Sequence, residues 1–387
     1  MLRLEEVTKR YDDGTVAVDR LSLDVGVGEI CVLVGPSGSG KTTTMRMVNR
    51  LIEPTTGRIF LDGDDIASMN PVALRRRMGY VIQHVGLFPH LTVEDNVGTV
   101  PRLLGWDRQR IRGRTRELLE MVGLDAERHG KRYPAELSGG QRQRAGVARA
   151  LAADPPVLLM DEPFGAIDPI TRGRLQSEFL RLQQELHKTV VFVTHDIEEA
   201  VRVGDRIAVL ADGGRLEQYD TPAALLGSPA TPFVAEFVGA DRGLKRLSVT
   251  GIEPSDLERP PLIGVSDTVT EARSLLEDGG SRWGVVIDGD GRLRGWLGAG
   301  DLDGEGTLDS RTHRMEAAVP ADASLKQAFA EMLQHDAAWV AVLDGDHYLG
   351  VLTPDSLHAA LRRSVERTAA GTTPPAAARA AEGERSP

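Results

Sequence analysis

Apolar runs of strand length alternate with helical stretches along the first 240 or so residues of the chain. The runs "GEICVLVG", "PPVLLMDEP" and "TVVFVTHD" have the length and composition of buried strands, and the helical stretch "KTTTMRMVNRL" follows the first. This alternation predicts an α/β domain whose parallel sheet is covered by helices. Between about residues 84 and 155 the strand pattern disappears, and we expect a helical insertion there.

The pattern changes in the second half, which begins near Leu244 and contains a two-fold internal repeat. "WGVVIDGDGRLRGWLGAGDL" at 283–302 resembles "WVAVLDGDHYLGVLTPDSL" at 339–357. Each copy predicts an amphipathic helix, a strand, an Asp-Gly turn, a second strand and a short closing helix. We therefore expect a smaller α+β module over 241–367. Its repeats are predicted at about 253–304 and 311–362, before a disordered tail at 368–387 that is poor in apolar bulk.

Composition excludes several classes of protein. A hydrophobic fraction of 41% and a charged fraction of 27% are ordinary for a soluble protein. No apolar run reaches the roughly 18–20 residues needed to cross a bilayer, and the N-terminus lacks the apolar core of a secretion signal. The formal charge of −11 argues against a nucleic-acid partner. Cys31 is the only cysteine, so we expect an inert buried thiol in a cytosolic protein.

A phosphate-binding loop follows the first buried strand. The stretch "GPSGSGKTT" at 35–43 fits the spacing G-x-x-x-x-G-K-[ST] between a strand and a helix. Its glycines let successive backbone N–H groups surround phosphate oxygens at the positive end of a helix. Lys41 would reach the β- and γ-phosphates, and the Thr42 hydroxyl would bind Mg²⁺. The predicted ATP-binding residues are Gly35, Pro36, Ser37, Gly38, Ser39, Gly40, Lys41, Thr42 and Thr43.

Two carboxylates end the strand in "VLLMDEP", where Asp161 would hold the Mg²⁺ shell and Glu162 would accept a proton from an attacking water. Gln83 follows another β-rich run, and its amide would contact both the ion and the water unless it is a surface polar residue. His195 ends the third strand. It is either a structural residue beside a helix start or a ligand of the γ-phosphate that orients the water. Tyr11 would stack on adenine or pack in the core.

A second helix start, "LSGGQRQR" at 137–144, also suits an anion, because it presents free backbone N–H groups. Together with the motifs above it resembles the ATP-binding cassette (ABC) transporter family. Tyr11 matches the adenine-stacking aromatic, "GPSGSGKTT" Walker A, and Gln83 the Q-loop. "LSGGQ" matches the family signature, "VLLMDEP" Walker B, "GAID" the D-loop, and His195 the switch histidine. All occur in family order.

The resemblance implies the fold of a P-loop NTPase cassette with a helical subdomain, ATP and Mg²⁺ as cofactors, and a homodimer. Family cassettes pair head to tail, so Ser138, Gly139, Gly140 and Gln141 of one subunit would close on the nucleotide held by the other. Asp168 of the D-loop would act across the same interface. Donors aimed at a γ-phosphate from both sides favour ATP over ADP, so ATP would close the dimer and hydrolysis would release it.

A cassette without a predicted membrane span implies separate permease subunits at the cytoplasmic face of the cell membrane, and a solute-binding protein outside as an indirect partner. Within the family the chain looks most like bacterial importers of quaternary amines: glycine betaine, carnitine, choline and proline betaine. Polyamine or amino-acid importers remain alternatives. So do soluble family members that act on ribosomes or in DNA repair, although those usually carry two cassettes or a coiled-coil insertion.

The repeat pair resembles tandem CBS domains. Such modules often bind adenine nucleotides, so Asp301, Trp283 and Trp339 are candidate ligands of a regulatory nucleotide such as cyclic di-AMP. Ser356 stands in the second repeat where the first has Asp301, which predicts at most one intact cleft. Core packing of the tryptophans, in a dimerisation module without ligand, is the alternative.

Overall fold

The computed structural model describes residues 1–82, 86–165, 167–304 and 307–371, with side chains described up to Arg367. These residues form two compact units. The first comprises Met1–Leu225 and Pro229–Ala240, and the second comprises Leu226–Ser228 and the chain from Asp241 onward. In the ranges just given, no helix is long and apolar enough to span a bilayer.

Over its described residues the first unit contains ten strands and eleven α-helices, the tenth of which ends in the second unit. The strands are β1 Leu2–Arg10, β2 Val16–Val25, β3 Ile30–Val34, β4 Thr56–Leu61, β5 Asp64–Asp65, β6 Met78–Val81, β7 Val157–Asp161, β8 Thr189–Thr194, β9 Arg206–Ala211 and β10 Arg215–Asp220. The helices are α1 Lys41–Val48, α2 Pro71–Arg76, α3 Val93–Val97, α4 Thr99–Leu103, α5 Arg108–Met121, α6 Ala126–His129, α7 Gly139–Leu151, α8 Pro169–Leu186, α9 Ile197–Val203, α10 Pro222–Gly227 and α11 Pro232–Val238.

A six-stranded sheet in the order β10-β9-β3-β8-β7-β6 forms the centre of the first unit. All its strands are parallel except β10, which pairs with β9 in the antiparallel sense. Every residue of β3, β7 and β8 is buried, which explains their unbroken apolar runs. Cys31 is fully buried in β3, as expected from the sequence, and burial raises the pKa of its thiol to about 12.

An antiparallel sheet in the order β2-β1-β4-β5 packs against the central sheet. Side chains from β1 and β2 share one hydrophobic core with α1 and with β3 of the central sheet. This core lies beside the loop that joins β3 to α1. The α/β class predicted from the sequence is confirmed.

Helices α3 to α7 occupy the chain between β6 and β7, where the strand pattern disappears. Side-chain caps define their starts: Thr92 accepts a hydrogen bond from the backbone of α3, and Asp107 accepts one from α5. Helix α7 packs against α3, α5 and β6, which attaches the helical segment to the sheet.

The described part of the second unit contains six strands and four α-helices. They are α12 Arg242–Leu247, β11 Leu262–Gly264, α13 Val269–Asp278, β12 Trp283–Ile287, β13 Leu293–Gly298, β14 Ala318–Pro320, α14 Leu325–Gln334, β15 Val340–Asp344, β16 His347–Leu352 and α15 Pro354–Gly371. Each repeat forms a three-stranded sheet of the same topology, β11-β12-β13 and β14-β15-β16. In both, the first pair is parallel and the second antiparallel.

The two repeats exchange segments. The backbone of Glu258, near the start of the first repeat, pairs with Val351 in β16 of the second, and His313, near the start of the second repeat, pairs with Trp296 in β13 of the first. A Cβ at Gly295 would lie 2.2 Å from the His313 carbonyl oxygen, so only glycine fits under the exchanged segment. The exchange makes the pair one folding unit.

The ends of the two repeats differ from each other. A 3-10 turn at Ala299–Leu302 closes the first repeat, whereas α15, which has 18 residues, closes the second. A short helix was predicted for both. Helix α15 also continues to Gly371, past the residue at which the tail was predicted to begin, because its sequence keeps a helical apolar face. Residues 372–387 of that predicted tail lie outside the described part of the chain.

Candidate nucleotide site

The loop between β3 and α1 is shaped by its glycines. A Cβ at Gly35 would lie 2.1 Å from the carbonyl oxygen of Leu210, and a Cβ at Gly40 would lie 2.2 Å from that of Ala17. Gly40 also has a φ of 76°, and Gly38, with a φ of 88°, has open space where a side chain would be. The loop therefore presses its backbone against two neighbouring segments and leaves its tip accessible.

The Lys41 ammonium lies inside this loop. It donates hydrogen bonds to the Gly35 carbonyl at 2.8 Å, the Pro36 carbonyl at 2.7 Å and the Ser39 hydroxyl at 3.1 Å, and the residue is 7% exposed. Burial lowers the pKa of Lys41, while the nearby Glu162 and Asp161 carboxylates raise it in part. A phosphate oxygen would give this ammonium a charged acceptor, and charge-assisted hydrogen bonds are roughly twice as strong as neutral ones.

Thr42 and Asp161 are brought together from the start of α1 and the end of β7. The Thr42 hydroxyl donates to Asp161 Oδ1 at 3.2 Å, and Asp161 is 8% exposed. Burial raises the pKa of Asp161, although the hydrogen bond from Thr42 opposes it. A buried carboxylate beside a hydroxyl offers the hard oxygen donors that Mg²⁺ prefers. The residues present thus fit a magnesium ion held between this pair and phosphate oxygens.

Glu162 and His195 meet at the ends of β7 and β8. His195 Nδ1 lies 3.3 Å from Glu162 Oε1, and the side chains of His195 and Glu162 are 62% and 21% exposed, respectively. The backbone of Glu162 has a φ of 44°, a strained conformation for a residue other than glycine, and its N–H donates to the Val193 carbonyl at 3.0 Å. Because parallel strands end at one edge of the sheet, this carboxylate and imidazole share the edge with Asp161.

Tyr11 lies in the turn between β1 and β2. Its ring is 41% exposed, and the Lys9 ammonium lies 5.5 Å from the ring centroid. Such exposure disfavours the core-packing alternative and leaves a ring face available for stacking.

The signature residues begin α7. Ser138 is the N-cap and accepts from the Gln141 N–H at 3.3 Å, while the Gln141 side chain accepts from the Ser138 N–H at 2.9 Å. A side chain at Gly139 would meet nothing within 4 Å, so the helix start is open to a partner. Asp168 likewise caps α8, accepting from the Thr171 N–H at 3.0 Å.

The structure therefore joins Lys41, Thr42, Asp161, Glu162 and His195 in one region. Over the described residues, the side-chain hydrogen bonds of Ser138 and Gln141 stay within the α7 start and its neighbour His129. Gln83 lies outside the described residues.

Sequence reasoning missed two buried polar residues beside this region, Gln176 and Glu199, which are 4% and 7% exposed. The sequence neighbours of Glu199 could have identified it. It directly precedes Ala200 and Val201 in α9, and a carboxylate is unexpected among such buried residues.

In the second unit the candidate aromatic residues contact one another. The Trp283 and Trp339 rings stack with centroids 4.3 Å apart and planes 16° from parallel. Trp296 meets Trp339 edge-on at 6.3 Å, and His313 lies 4.7 Å from Trp296. This cluster joins the first repeat to the second, so a base could stack on Trp283 or Trp339 in the present contact face only if the pair opened.

Asp301 has a local role in this unit. It accepts from the Gly298 N–H at 2.8 Å, and its other oxygen lies 3.1 Å from His313 Nε2. Burial of the Asp301 carboxyl tends to raise its pKa, but the contacts with Gly298 and His313 outweigh burial and lower the pKa. In the second repeat the Ser356 hydroxyl accepts from the Thr353 N–H at 2.9 Å. Asp301 and Ser356 therefore have the same capping role in the two repeats.

Comparison with known proteins agrees with this geometry. The "ABC transporter" family pattern matches residues 18–165, and the "CBS domain" pattern matches 315–363. The chain is 45% identical over 367 residues to "Osmoprotectant import ATP-binding protein OsmV" of Salmonella typhimurium, covering 92% of this chain and 94% of the relative. It is 44% identical over 363 residues to "Glycine betaine/carnitine/choline transport ATP-binding protein OpuCA" of Bacillus subtilis, covering 92% and 95%.

A solved structure extends the comparison to a nucleotide complex. The dimeric post-hydrolysis state of the ATP-binding cassette MJ0796, bound to ADP and Pi, is 36% identical, with a TM-score of 0.52, and covers 57% of this chain and 99% of that one. The predicted fold and ATP-binding function are thus confirmed. The chain belongs to the ABC transporter family, as an ATP-hydrolysing subunit with a C-terminal CBS module.

Proposed function

We propose that this ATPase powers the import of quaternary-ammonium osmoprotectants such as glycine betaine, choline, carnitine and proline betaine. The observation that carries the ATPase half is the convergence of Lys41, the Thr42–Asp161 pair and the Glu162–His195 pair at one sheet edge. The solute half is supported by full-length relatives whose names assign them to osmoprotectant, glycine betaine, carnitine and choline transport. These relatives favour this function over the polyamine, amino-acid and soluble alternatives.

Hydrolysis follows from the side chains at the sheet edge. Lys41 holds the β- and γ-phosphates, and Tyr11 stacks on adenine. Thr42 and Asp161 would hold Mg²⁺, with Gln83 expected from the sequence as a further ligand, and the ion would supply positive charge opposite the phosphate oxygens. Glu162 removes a proton from the water that attacks the γ-phosphorus, and ADP leaves as the bond to its β-phosphate oxygen breaks. His195 orients that water and is itself held by Glu162 at 3.3 Å.

A second copy of the chain completes the nucleotide site in this proposal. The Ser138 hydroxyl and the open N–H groups at Gly139 and Gly140 bind the γ-phosphate held by the partner's loop, and Asp168 contacts the same interface. The free helix start supports this arrangement, because over the described residues its side-chain hydrogen bonds stay local. The dimeric cassette of MJ0796 is a precedent.

We assign the permease contact to a groove of about 860 Å³ in the helical segment, so that the subunit is held peripherally at the cytoplasmic face of the membrane. Two of its cations are neutralised by acidic neighbours, Arg102 by Asp95 and Arg116 by Glu127, each at 2.9 Å. Three more line it without an ion pair to any described residue: Arg108, Arg112 and Lys131. An acidic cytoplasmic loop of a permease matches this excess positive charge.

Uptake of labelled solute tests the proposal. A strain lacking the chain is expected to lose uptake of glycine betaine, choline or proline betaine and to regain it with the intact gene. Arg112→Glu should lose uptake while the isolated subunit keeps its ATPase activity; Arg181→Glu, on the exposed face of α8, is the matched control. Normal uptake with Arg112→Glu would reject the groove, and normal uptake without the chain would reject the function.

The CBS module is proposed to regulate transport. Asp301, Trp283 and Trp339 are its candidate ligands for an adenine nucleotide or cyclic di-AMP, supported by their clustering between the repeats. Since the two rings stack on each other at 4.3 Å, binding must compete with that contact. Calorimetry of the full chain with cyclic di-AMP, ATP and AMP tests the idea in the Lys41→Ala variant, which silences the cassette site. Heat abolished by Asp301→Ala supports it, and absence of heat with all three rejects it.

A further inference from the structure

A buried polar pair joins α8 to α9. The Gln176 side-chain amide donates to Glu199 Oε1 at 3.0 Å, and the two residues are 4% and 7% exposed. Burial raises the pKa of Glu199, against the opposing hydrogen bonds from Thr194 and Gln176, so the ionised carboxylate carries a net cost in the folded protein. Because the ionised carboxylate lowers the stability of the folded protein, we attribute its presence to function rather than to stabilisation of the fold.

The location of Glu199 indicates what that function is. The Glu199 backbone N–H donates at 3.3 Å to the carboxylate of Asp196, the cap of α9, and the Asp196 N–H donates at 3.1 Å to the hydroxyl of Thr194, the last residue of β8. His195 lies between these two residues in the chain. Gln176 belongs to α8, which starts directly after the D-loop. Glu199 thus links the start of α9, beside His195, to the helix that follows the D-loop.

Further contacts on either side strengthen the joint. Toward the D-loop, Arg172 donates to the Ile167 carbonyl at 3.1 Å and lies 3.8 Å from Asp196, the cap of α9. At the far side, Arg202 of α9 donates to the Gly173 carbonyl at 3.2 Å and the Ser177 hydroxyl at 2.9 Å. Three polar links between two neighbouring helices make them move as one body.

We infer that Glu199 is a positioning residue that couples His195, which serves a protomer's own nucleotide, to the D-loop, which serves the nucleotide of the second copy. The inference rests on the proposed roles of His195 and Asp168 in the shared dimer. Its physical content is that the two composite sites communicate through the Gln176–Glu199 hydrogen bond and the start of α9, so breaking that bond slows turnover without weakening the binding of ATP.

A charge exchange tests this pathway. Gln176→Glu places a second carboxyl group 3.0 Å from the first. The two repel when both are ionised, whereas at lower pH one of them binds a proton and the pair stays hydrogen-bonded, so kcat is compared at alkaline pH. Adding Glu199→Gln restores the bond in reverse, because the introduced amide donates through its N–H₂ to the introduced carboxylate. Gln176→Glu should lower kcat by ~10-fold or more through misplacement of His195 and reduce the cooperativity of ATP hydrolysis, leaving KM within about twofold. The double variant should recover kcat to within about threefold of wild type.

The measurements are steady-state ATPase rates, ATP affinity and thermal unfolding of the full chain, with the exposed neighbour substitution Glu198→Gln as control. A wild-type kcat in Gln176→Glu, or a double variant as slow as Gln176→Glu, overturns the inference. So does a fall in kcat that only follows loss of folded protein or of ATP binding. If Glu162→Gln fails to dimerise with ATP while the wild type folds normally, the proposed shared dimer is wrong, and the result does not test the role of Glu199.

Discussion

Replacing Glu162 by glutamine removes the proposed base without changing the size of the side chain. Proton abstraction by a positioned group contributes ~10²–10⁴-fold, which at about 1.36 kcal/mol per tenfold is roughly 3–5 kcal/mol of the barrier. Glutamine keeps the backbone bond to Val193 and adopts the same positive φ as readily as glutamate. We therefore expect kcat to fall by ~10²-fold or more, whereas nucleotide binding and the unfolding temperature stay near those of the wild type.

The assay combines phosphate release at saturating ATP with size-exclusion chromatography in ATP. Slow turnover should accumulate the ATP-bound dimer, because nothing then removes the γ-phosphate that both copies bind. Glu198→Gln, an exposed carboxylate in the first turn of α9, should hydrolyse ATP at the wild-type rate and stay monomeric after turnover. Hydrolysis by Glu162→Gln within about tenfold of wild type would refute its assignment as the base.

Two further predictions concern charge and aromatic packing. Asp161→Asn should lose ~10²-fold or more in ATPase rate yet unfold at a higher temperature at neutral pH. Burial raises the pKa of Asp161, so the wild type loses folding stability as pH rises and this carboxyl ionises. The variant does not pay this cost, and its higher unfolding temperature, measured by calorimetry, should therefore approach that of the wild type toward acid pH. A variant less stable than the wild type at neutral pH contradicts this. Trp339→Ala should abolish the exciton circular-dichroism couplet expected from the Trp283–Trp339 stack at 4.3 Å, and an unchanged couplet means the rings are apart in solution.

The elements that the sequence predicted well are those with local causes. The phosphate loop is recognisable because carbonyl oxygens lie too close to Gly35 and Gly40 for any larger residue to fit. Strands β3, β7 and β8 are recognisable because both of their faces are buried, which gives each an unbroken apolar run. The internal repeat likewise predicted the helix, the two antiparallel strands and the turn of each copy, but not the short parallel strands β11 and β14 that complete the two sheets.

Contacts between segments that are distant in the chain could not be predicted from the sequence. Nothing in the spacing of Trp283 and Trp339 shows that their rings stack, because the contact depends on how the two repeats pack. The Asp301 and Ser356 difference suggested one degenerate cleft, and that stays a prediction; both side chains accept a backbone hydrogen bond at the start of the helical segment that follows their strand. Glu199 is another case, because its side-chain partner Gln176 belongs to α8, 23 residues earlier in the chain.

The central claim, that each ATP is bound between two copies, is tested most directly with a mixed pair made from Lys41→Ala and Ser138→Arg chains in the Glu162→Gln background. Only one composite site of that pair combines an intact Lys41 with an intact Ser138. We expect azido-ATP, photocrosslinked after gel filtration, to label the Ser138→Arg chain in the mixed pair, and neither variant paired with itself to retain nucleotide in a dimer. Retention by the Lys41→Ala chain, or no retention by the mixed pair, would contradict the account.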